Sequence, residues 1–381
     1  MSAIPLRRSA SGASRAIEAG AVAFRRATPA DDATLRRLLR DNVMDGWVRL
    51  SLEREPAYFA AEGLTGESVT VLAEQRDAPH ATVGMYTCSL VPVHYAGVAT
   101  RACYLGGLRV NPGFRRRIRI LRSGFESICR VVPEAAAVPV WFTSIAADNA
   151  AARRVLEAGL PGMPVYTPVG ELETLALATR LGRARGLLRP AQAGDIPAMV
   201  ELYNRHARQY QYSPVLSRDW LLALDGSRGL ALSDFLVATD GPRVTAMVAL
   251  WDQRRFKQTV ARGYRFPLNL LRPAYNAFSA LSGAVALPPV GKPLEQIYLA
   301  FAAFQDANAA PAMIGEALGW AHQRGARAGV IGLSSANPLL VQVKHRFRAH
   351  AYRTCIEAVT WPDQAEGAFS DLPPQPEVAI L

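Results

Sequence analysis

Arginine is concentrated in one short loop of this chain. Four of the five residues in Arg115–Arg119 are arginine, and the loop follows an apolar run and precedes a helical pattern. Guanidinium groups bind phosphate oxygens in pairs, and the first N–H groups of a helix attract anions. The loop therefore predicts a site for an anionic phosphate group, although charge alone would favour a solvated basic face.

A strand and a helix must position this loop. The apolar run Tyr104–Val110 has the length of a buried strand, and Gly106 and Gly107 interrupt it where another backbone or a ligand can come close. The turn residues Asn111, Pro112 and Gly113 end the strand. Apolar residues then recur three and four apart, as on one face of a helix: Ile118, Leu121, Phe125, Ile128 and Val132.

Composition places the chain among folded globular proteins of two domains. It has 381 residues, 50% hydrophobic and 20% charged, with a formal net charge of +11. This charge favours anionic partners such as phosphorylated cofactors, nucleic acid or membrane surfaces. The four cysteines form no CxxC pair, so neither a metal site nor a disulfide framework is expected, and we predict a cytoplasmic protein without a membrane span.

Two internal correspondences indicate that one α/β unit occurs twice. The pattern Arg25-x-Ala27-x-x-x-Asp31 recurs from Arg189 to Asp195, and the strand, asparagine and helix of 141–158 recur in 329–347. We predict a disordered tail (1–20), a first domain (21–178), a linker (179–186), a second domain (187–362) with an insertion near 266–293, and a disordered or surface tail (363–381). We also predict a helix over 50–61 between the first helix and the following strands.

The order of elements in the first unit resembles that of the GNAT acyltransferase superfamily. Leu108-Arg-Val-Asn-Pro112 followed by Arg115 resembles the acyl-CoA motif of that family, and Asp148–Ala152 with Gly159 resembles its next motif, an asparagine before a helix. The second unit resembles the fold without the motif, since Gln305–Asn308 stands where the arginine loop would be. The resemblance implies an α/β (α+β) fold of two tandem GNAT-like domains, each a mixed, mainly antiparallel sheet flanked by helices, with a degenerate second copy.

The resemblance also implies a cofactor site between the fourth and fifth strands. By position, Leu108, Arg109 and Val110 would pair with pantetheine, and Asn149 would lie near the CoA arm. The pyrophosphate would be held by the loop residues, which are Arg115, Arg116, Arg117, Ile118, Arg119 and Ile120. The family has small residues where this chain has Ile118 and Ile120. Either the arginines hold the phosphates at a longer distance, or CoA binding is weak or lost.

Three residues are candidates for proton transfer in such an enzyme. Tyr104 lies on the strand where the superfamily often places its base, with a packed aromatic side chain as the alternative interpretation. Tyr166 and His94 are substitutes, and a histidine near a turn is more often a surface residue. The helix position that usually carries a tyrosine acid holds Val155 or Leu156 here.

These observations favour an acyl-CoA-dependent N-acyltransferase. Acetyl-CoA or another acyl-CoA would be the co-substrate, a small-molecule or peptide amine the acceptor, and the amine would attack directly in a ternary complex without a metal. The alternative is a non-catalytic GNAT-like module that binds a ligand or partner. Nucleic-acid binding is a minority interpretation, which rests on the net charge and on basic and aromatic residues interleaved in 205–212 and 251–264. No recognition-helix, RNP or zinc-finger pattern supports it.

Overall fold

The computed structural model describes residues 22–63, 66–115, 117–180, 186–282, 284–361 and 370–381. The predicted tail 1–20, residues 181–185 of the predicted linker and Arg116 therefore lie outside the described residues.

The first half of the described chain contains seven strands and four helices. The strands are β1 (Val22–Arg26), β2 (Val48–Glu53), β3 (Glu67–Gln75), β4 (Ala78–Tyr95), β5 (Val98–Val110), β6 (Val140–Ala146) and β7 (Val165–Ala178). The helices are α1 (Asp32–Asp41), α2 (Ile118–Val131), α3 (Pro133–Ala136) and α4 (Ala150–Leu156). The predicted strand, arginine loop and helix are thus present as β5, the loop and α2.

The second described half repeats this plan with an added helix. Its strands are β8 (Arg189–Pro190), β9 (Phe235–Asp240), β10 (Arg243–Trp251), β11 (Gln258–Tyr264), β12 (Gln296–Phe304), β13 (Ala328–Ser334) and β14 (His350–Thr360). Its helices are α5 (Ile196–Ala207), α6 (Arg218–Leu222), α7 (Leu268–Ser282), α8 (Ala310–Gln323) and α9 (Leu339–Phe347). Helix α7 lies within the segment 266–293, where the insertion is predicted.

One continuous sheet joins the two halves. Its twelve strands have the order β1-β3-β4-β5-β6-β14-β7-β13-β12-β10-β9-β8, so β14 of the second half lies between β6 and β7 of the first. Thr354 of β14 is paired with Ala146 on one side and with Leu172 on the other. Most neighbours are antiparallel, while β5–β6 and β12–β13 are parallel, which confirms the predicted mixed, mainly antiparallel architecture. The halves have exchanged strands and share one sheet.

The two faces of the first half carry different partners. Helices α2 and α4 cover one face, where Phe125, Ile128 and Leu156 pack with Trp141. On the other face, Phe142 packs with Tyr212 of the second half, and their rings are stacked with centroids 4.4 Å apart. This second face is therefore an internal boundary between the halves.

The predicted helix over 50–61 is wrong. That segment holds strand β2 and a short 3-10 turn, Tyr58–Ala61. Strand β2 pairs with β11, so that Leu52 lies opposite Thr259 of the second half. Because this partner is about two hundred residues away in sequence, local helix propensity is overridden by tertiary pairing.

The end of the chain differs from the predicted tail. Residues 370–381 are packed into the fold: Ala379 is fully buried, and Pro374 contacts the face of β7 at Gly170. The carbonyl of Ala379 accepts a hydrogen bond from Gln253 Nε2 at 2.9 Å. The remainder of the tail, 363–369, lies outside the described residues.

Strands β5 and β6 part partway along their length. Their parallel pairing runs from Ala102–Val140 to Leu105–Thr143 and then stops, although β5 continues along β4 as far as Val110. Thr143 Oγ1 closes the last pair by donating to the Leu105 carbonyl at 2.6 Å. A wedge-shaped gap therefore opens between the second half of β5 and the end of β6.

Two glycines shape β5 where it leaves β6. Gly107 has φ +62°, and a Cβ there would lie 2.8 Å from Thr87 Oγ1; the β4–β5 register shifts between Met85 and Thr87 beside it. At Gly106 a Cβ would lie 2.6 Å from the ring of Tyr104. Both positions require glycine, which produces a bulge that turns the strand away from β6.

The second half contains a corresponding gap, between β12 and β13, and the C-terminal segment of the chain fills it. Strands β12 and β13 pair from Gln296–Ala328 to Tyr298–Val330 and then part. Residues of the C-terminal segment bridge the two strands there: Glu377 Oε2 accepts the Phe301 N–H at 2.8 Å, and Gln375 Oε1 accepts the Ser334 N–H at 3.1 Å. The second gap is thus occupied by residues 375–379.

We expect that the first half does not fold alone. A chain of residues 1–178 lacks β14, so β6 and β7 would each expose an unpaired edge. It should aggregate or show no cooperative urea unfolding, whereas co-expression with residues 179–381 should return a soluble 1:1 complex. A monomeric 1–178 chain with one cooperative transition would contradict the strand exchange.

The bulge can be tested with a matched pair of glycines. Gly107 and Gly159 both have positive φ, but a Cβ at Gly159 would meet no atom within 4 Å. Gly159→Ala should lose only the conformational cost of about 1 kcal/mol in free energy of unfolding. Gly107→Ala should lose more, because its methyl group is too close to Thr87. Equal losses in urea denaturation would show that the approach of Thr87 does not constrain the bulge.

Candidate acyl-CoA and acceptor site

The gap between β5 and β6 is lined by residues from both halves of the chain. Leu108, on the β5 side, is 39% exposed, which is high for a leucine in the interior of a sheet. Burial lowers the pKa of Arg109, and the Tyr352 phenol on β14 partly opposes that shift. Burial raises the pKa of Tyr352 to about 12, with a contribution from Asp148 beyond the end of β6. Arg109 and Tyr352, which come from different halves, are therefore close enough to influence each other's pKa.

The mouth of the gap carries the arginine loop and the start of α2. Arg115 is exposed at this mouth, where its Nη2 donates to Asn42 Oδ1 at 2.8 Å and its Nε donates to the Val110 carbonyl at 3.3 Å. Arg117 is the N-cap residue of α2, no side chain caps this helix, and its first turn contains no acidic residue. Arg119 is exposed on the first turn. The positive end of the α2 dipole and the guanidinium groups of the loop therefore lie together at the mouth of the gap.

The two isoleucines of the loop point into the core. Ile120 is 6% exposed and packs with Val22, Ala73 and Val83, while Ile118 packs against the cluster beneath α2. Both side chains therefore belong to the core beneath the helix, and the cluster that Ile118 joins includes Leu105 of β5 and Ile145 of β6. The N–H of Ile120 donates to the Arg117 carbonyl at 3.0 Å, so the first turn is tightened.

Asn149 follows β6 at the other side of the mouth. Its N–H donates to the Ala146 carbonyl at 2.9 Å, and its side-chain oxygen accepts the Ala152 N–H at 3.2 Å. Asn149 is therefore the N-cap of α4 and lies just beyond the end of β6, the strand that borders the gap.

Tyr104 lies at the narrow end of the gap. Its hydroxyl lies 2.7 Å from Ser144 Oγ, and its ring packs against Phe142 with centroids 5.2 Å apart. Burial raises the pKa of Tyr104, and the hydrogen bond with Ser144 only partly offsets this. The raised pKa keeps the phenol protonated near neutral pH, which disfavours the predicted role as a base and leaves an O–H group that can donate.

The structure does not bring the other two candidates to Tyr104. Tyr166 is buried on the opposite face of the sheet, where it packs against Phe125, and burial raises its pKa. His94 is 1% exposed rather than on the surface, and its Nε2 lies 3.1 Å from Asn204 Oδ1. Burial lowers the pKa of His94. Ser89 is the β4 residue paired with Tyr104, so His94 is five residues, about 17 Å, farther along the strand.

A cavity of about 260 Å³ adjoins Tyr104 on the face shared with the second half. Its walls come from β4, β5 and β6, from the segment that includes Tyr212 and Trp220, and from the C-terminal residues. Among the described residues that line it, Glu377 carries the only ionisable carboxylate side chain. Burial raises the pKa of Glu377 to about 7, against hydrogen bonds from the N–H groups of Phe301 and Ala379 and the charge of Lys257.

A cluster of polar side chains lies on the same face, above the bulge of β5. Tyr58 Oη lies 3.0 Å from Thr70 Oγ1, and Thr70 Oγ1 is 3.4 Å from Thr87 Oγ1. The Arg54 guanidinium lies over the Tyr58 ring, 4.5 Å from its centroid, and its Nη1 is buried without a hydrogen-bond partner. Burial raises the pKa of the nearby Glu62, and Arg54 opposes the shift. This cluster could hold polar atoms of a ligand near Gly107.

Sequence reasoning missed the residues that the second half supplies. Glu377, Phe301 and Tyr212 adjoin the cavity only because β14 and the C-terminal segment bring the halves together. The apolar ending Val378–Leu381 is the one local signal that could have indicated burial of the tail. Within the described residues, no group of three or more His, Cys, Asp or Glu side chains could hold a metal ion. None of the described helices is long and apolar enough to cross a bilayer.

Comparison with known proteins relates the fold to enzymes of acyl transfer. No protein-family model and no curated protein sequence matches the chain. Among solved structures, N-myristoyltransferase of Saccharomyces cerevisiae with bound myristoyl-CoA is similar over 89% of this chain and 82% of its own, with a TM-score of 0.59 and 12% identity. A GCN5-related N-acetyltransferase of Sphaerobacter thermophilus is similar over 92% of this chain and 98% of its own, with a TM-score of 0.56 and 14% identity.

At these identities the likeness establishes the fold. Together with the parted parallel strands and the mixed sheet repeated in each half, it leads to one assignment: the chain has the fold of the GNAT acyltransferase superfamily.

Proposed function

We propose that the protein is an acyl-CoA-dependent N-acyltransferase that binds its thioester co-substrate in the first gap. The observation that carries this proposal is the parting of β5 and β6 after Leu105–Thr143, with arginines at the wide end and Tyr104 at the narrow end. The second gap is filled by residues 375–379, so one co-substrate site per chain is expected. The N-myristoyltransferase with bound myristoyl-CoA supports the choice of an acyl-CoA.

The residues present suit a CoA thioester. Unpaired strand edges of β5 can pair with an amide-containing arm, and the cationic mouth with its helix N-terminus suits a pyrophosphate. Ile118 and Ile120 pack into hydrophobic clusters beneath α2, whereas Arg115 and Arg119 stay exposed at the mouth of the gap. Of the two consequences that the sequence leaves open, we therefore favour binding through the arginines.

The proposed reaction is a direct transfer. The lone pair of the acceptor amine attacks the thioester carbonyl carbon and forms a C–N bond, while the C–S bond breaks and its electron pair leaves with sulfur. The acceptor reacts as the neutral amine, after its ammonium form has lost a proton to water, and nitrogen loses one further proton to water when the amide forms. Tyr104, whose raised pKa keeps it protonated, is proposed to protonate the leaving thiolate and to regain its proton from water.

Arginine substitutions should weaken co-substrate binding. Arg115→Ala and Arg117→Ala should each raise the Kd for acetyl-CoA or a longer acyl-CoA about tenfold, since a hydrogen bond to a charged group is worth ~1.5–3 kcal/mol. Arg243→Ala, which removes an exposed arginine of the second half, is the control. Unchanged affinity in both loop variants by isothermal titration would refute the placement of the pyrophosphate. No binding by the wild-type chain near millimolar ligand would refute the enzyme.

Tyr104→Phe should lower kcat with little change in the KM for acyl-CoA. Loss of a positioned proton donor typically costs about a hundredfold or more. Tyr166→Phe is the matched control, because that hydroxyl lies on the opposite face of the sheet. Thiol release measured across an amine panel reports both variants, and equal kcat values for Tyr104→Phe and wild type would remove Tyr104 from the mechanism.

A non-catalytic binding module is the second candidate. The helix position where the superfamily often has a tyrosine acid falls at Val155 or Leu156, and neither side chain carries a hydroxyl. Acyl-CoA binding without thiol release for any amine of the panel would favour this module over the enzyme.

A further inference from the structure

The cavity beside Tyr104 has a composition unusual for a site that must bind an amine. Most of its walls are aliphatic or aromatic side chains, among them Val93, Phe142, Tyr212, Trp220 and Phe301. Its volume, about 260 Å³, is slightly below the ~300–1,000 Å³ of typical small-molecule pockets. Such a cavity favours a compact, mainly apolar ligand and offers little to a polyhydroxylated one, whose hydroxyl groups would lose their hydrogen bonds to water.

One carboxylate interrupts these apolar walls and is rigidly held. Glu377 Oε2 accepts the Phe301 N–H at 2.8 Å, and Glu377 Oε1 accepts the Ala379 N–H at 3.2 Å. Phe301 presents its N–H from a left-handed backbone conformation, φ +50°, which costs energy in a bulky residue. Rings of Tyr203, Trp220 and Trp251 surround the Phe301 ring at centroid distances of 5.2–5.9 Å and hold it there.

The charge of Glu377 is only partly compensated within the chain. Lys257 is near enough to affect its pKa, but Lys257 Nζ donates to main-chain oxygens of Ala379 and Leu381, at 3.2 and 2.7 Å. Burial lowers the pKa of Lys257 to about 7 and raises the pKa of Glu377 to about 7, so each group is only partly charged near neutral pH. A cationic group entering the cavity would favour the ionised form of Glu377, because that carboxylate gains a charge-assisted hydrogen bond.

We propose that this cavity binds the acceptor, a small primary amine with an aromatic or aliphatic substituent, and that Glu377 recognises its ammonium group. This inference rests on the proposed function and defines its substrate class. The substituent packs against Phe142, Tyr212 and Trp220, and the nitrogen lies toward Glu377. Glu377 acts as a specificity residue of the acceptor site, supplied by the C-terminal segment that also fills the second gap.

The test measures amine binding directly and needs no turnover. Isothermal titration of the full chain with 2-phenylethylamine and hexylamine should show binding, whereas 2-phenylethanol and glucosamine should bind at least about tenfold more weakly. Glu377→Gln keeps an acceptor for the Phe301 N–H and should weaken 2-phenylethylamine binding about tenfold, so that amine and alcohol bind alike. Glu201→Gln, which neutralises an exposed carboxylate on α5, is the control.

A second variant separates recognition from folding. Val215→Phe fills the cavity from its wall without touching the carboxylate, and it should abolish binding of both amines while acyl-CoA still binds. Wild-type affinity in Glu377→Gln, equal affinity of amine and alcohol for the wild type, or no amine binding near millimolar concentration would each overturn the proposal. Acyl-CoA affinity that rises with chain length and is lost in Val215→Phe would assign the cavity to the acyl chain and would also overturn it. Failure of acyl-CoA to bind would refute the proposed enzyme function. The amine titrations contain no CoA, so they test the acceptor proposal independently.

Discussion

The placement of β14 between β6 and β7 is the constraint on which the structure depends. Eleven residues of the second half complete the sheet of the first, and the ladder on each side of β14 makes the two halves one hydrogen-bonded unit. Because β6 also forms one wall of the gap beside β5, the geometry of that gap depends on a strand about two hundred residues later in the chain. Part of the second face of the first half packs against the second half, and the cavity beside Tyr104 forms at this internal boundary.

Each half contains a pair of parallel strands that part, and the halves differ in what lies between the parted strands. In each, a parallel pair of strands parts after three or four residue pairs, and a residue with positive φ follows on the longer strand, Gly107 in one case and Phe301 in the other. In the first half the space beyond is bordered by arginines and an uncapped helix. In the second half the C-terminal segment bridges it through Gln375 and Glu377. The space between the parted strands of the second half thus anchors the C-terminal segment, which also borders the cavity beside Tyr104.

The parts of the site that can be predicted from the sequence are those formed by residues close together in the chain. The arginine loop, its strand and its helix are contiguous, so spacing alone predicts them, and the glycines mark a bulge because only glycine fits beside Thr87 and the Tyr104 ring. The meaning of Ile118 and Ile120 depends on which way the helix turns them. Packing against Val22 and the cluster beneath α2 decides that they face inward. Two carboxylates of the first half also have partners that only the fold reveals. Glu53 forms an ion pair with Arg262. Glu55 forms ion pairs with Arg36 and Arg40.

The sequence by itself determined the repeated α/β plan, the cationic loop between β5 and α2, and the candidate Tyr104, because each depends on residues close together in the chain. Only the tertiary structure decided the exchange of strands, the pairing of β2 with β11, and the burial of the C-terminal segment. Those features arise from contacts between residues far apart in the chain, from 41 positions for Ser334 and Gln375 to about two hundred for β14 and β6. The local sequences of these segments are compatible with several structures. Tyr104 and Glu377 border one cavity for this reason, although nothing in either local sequence relates them.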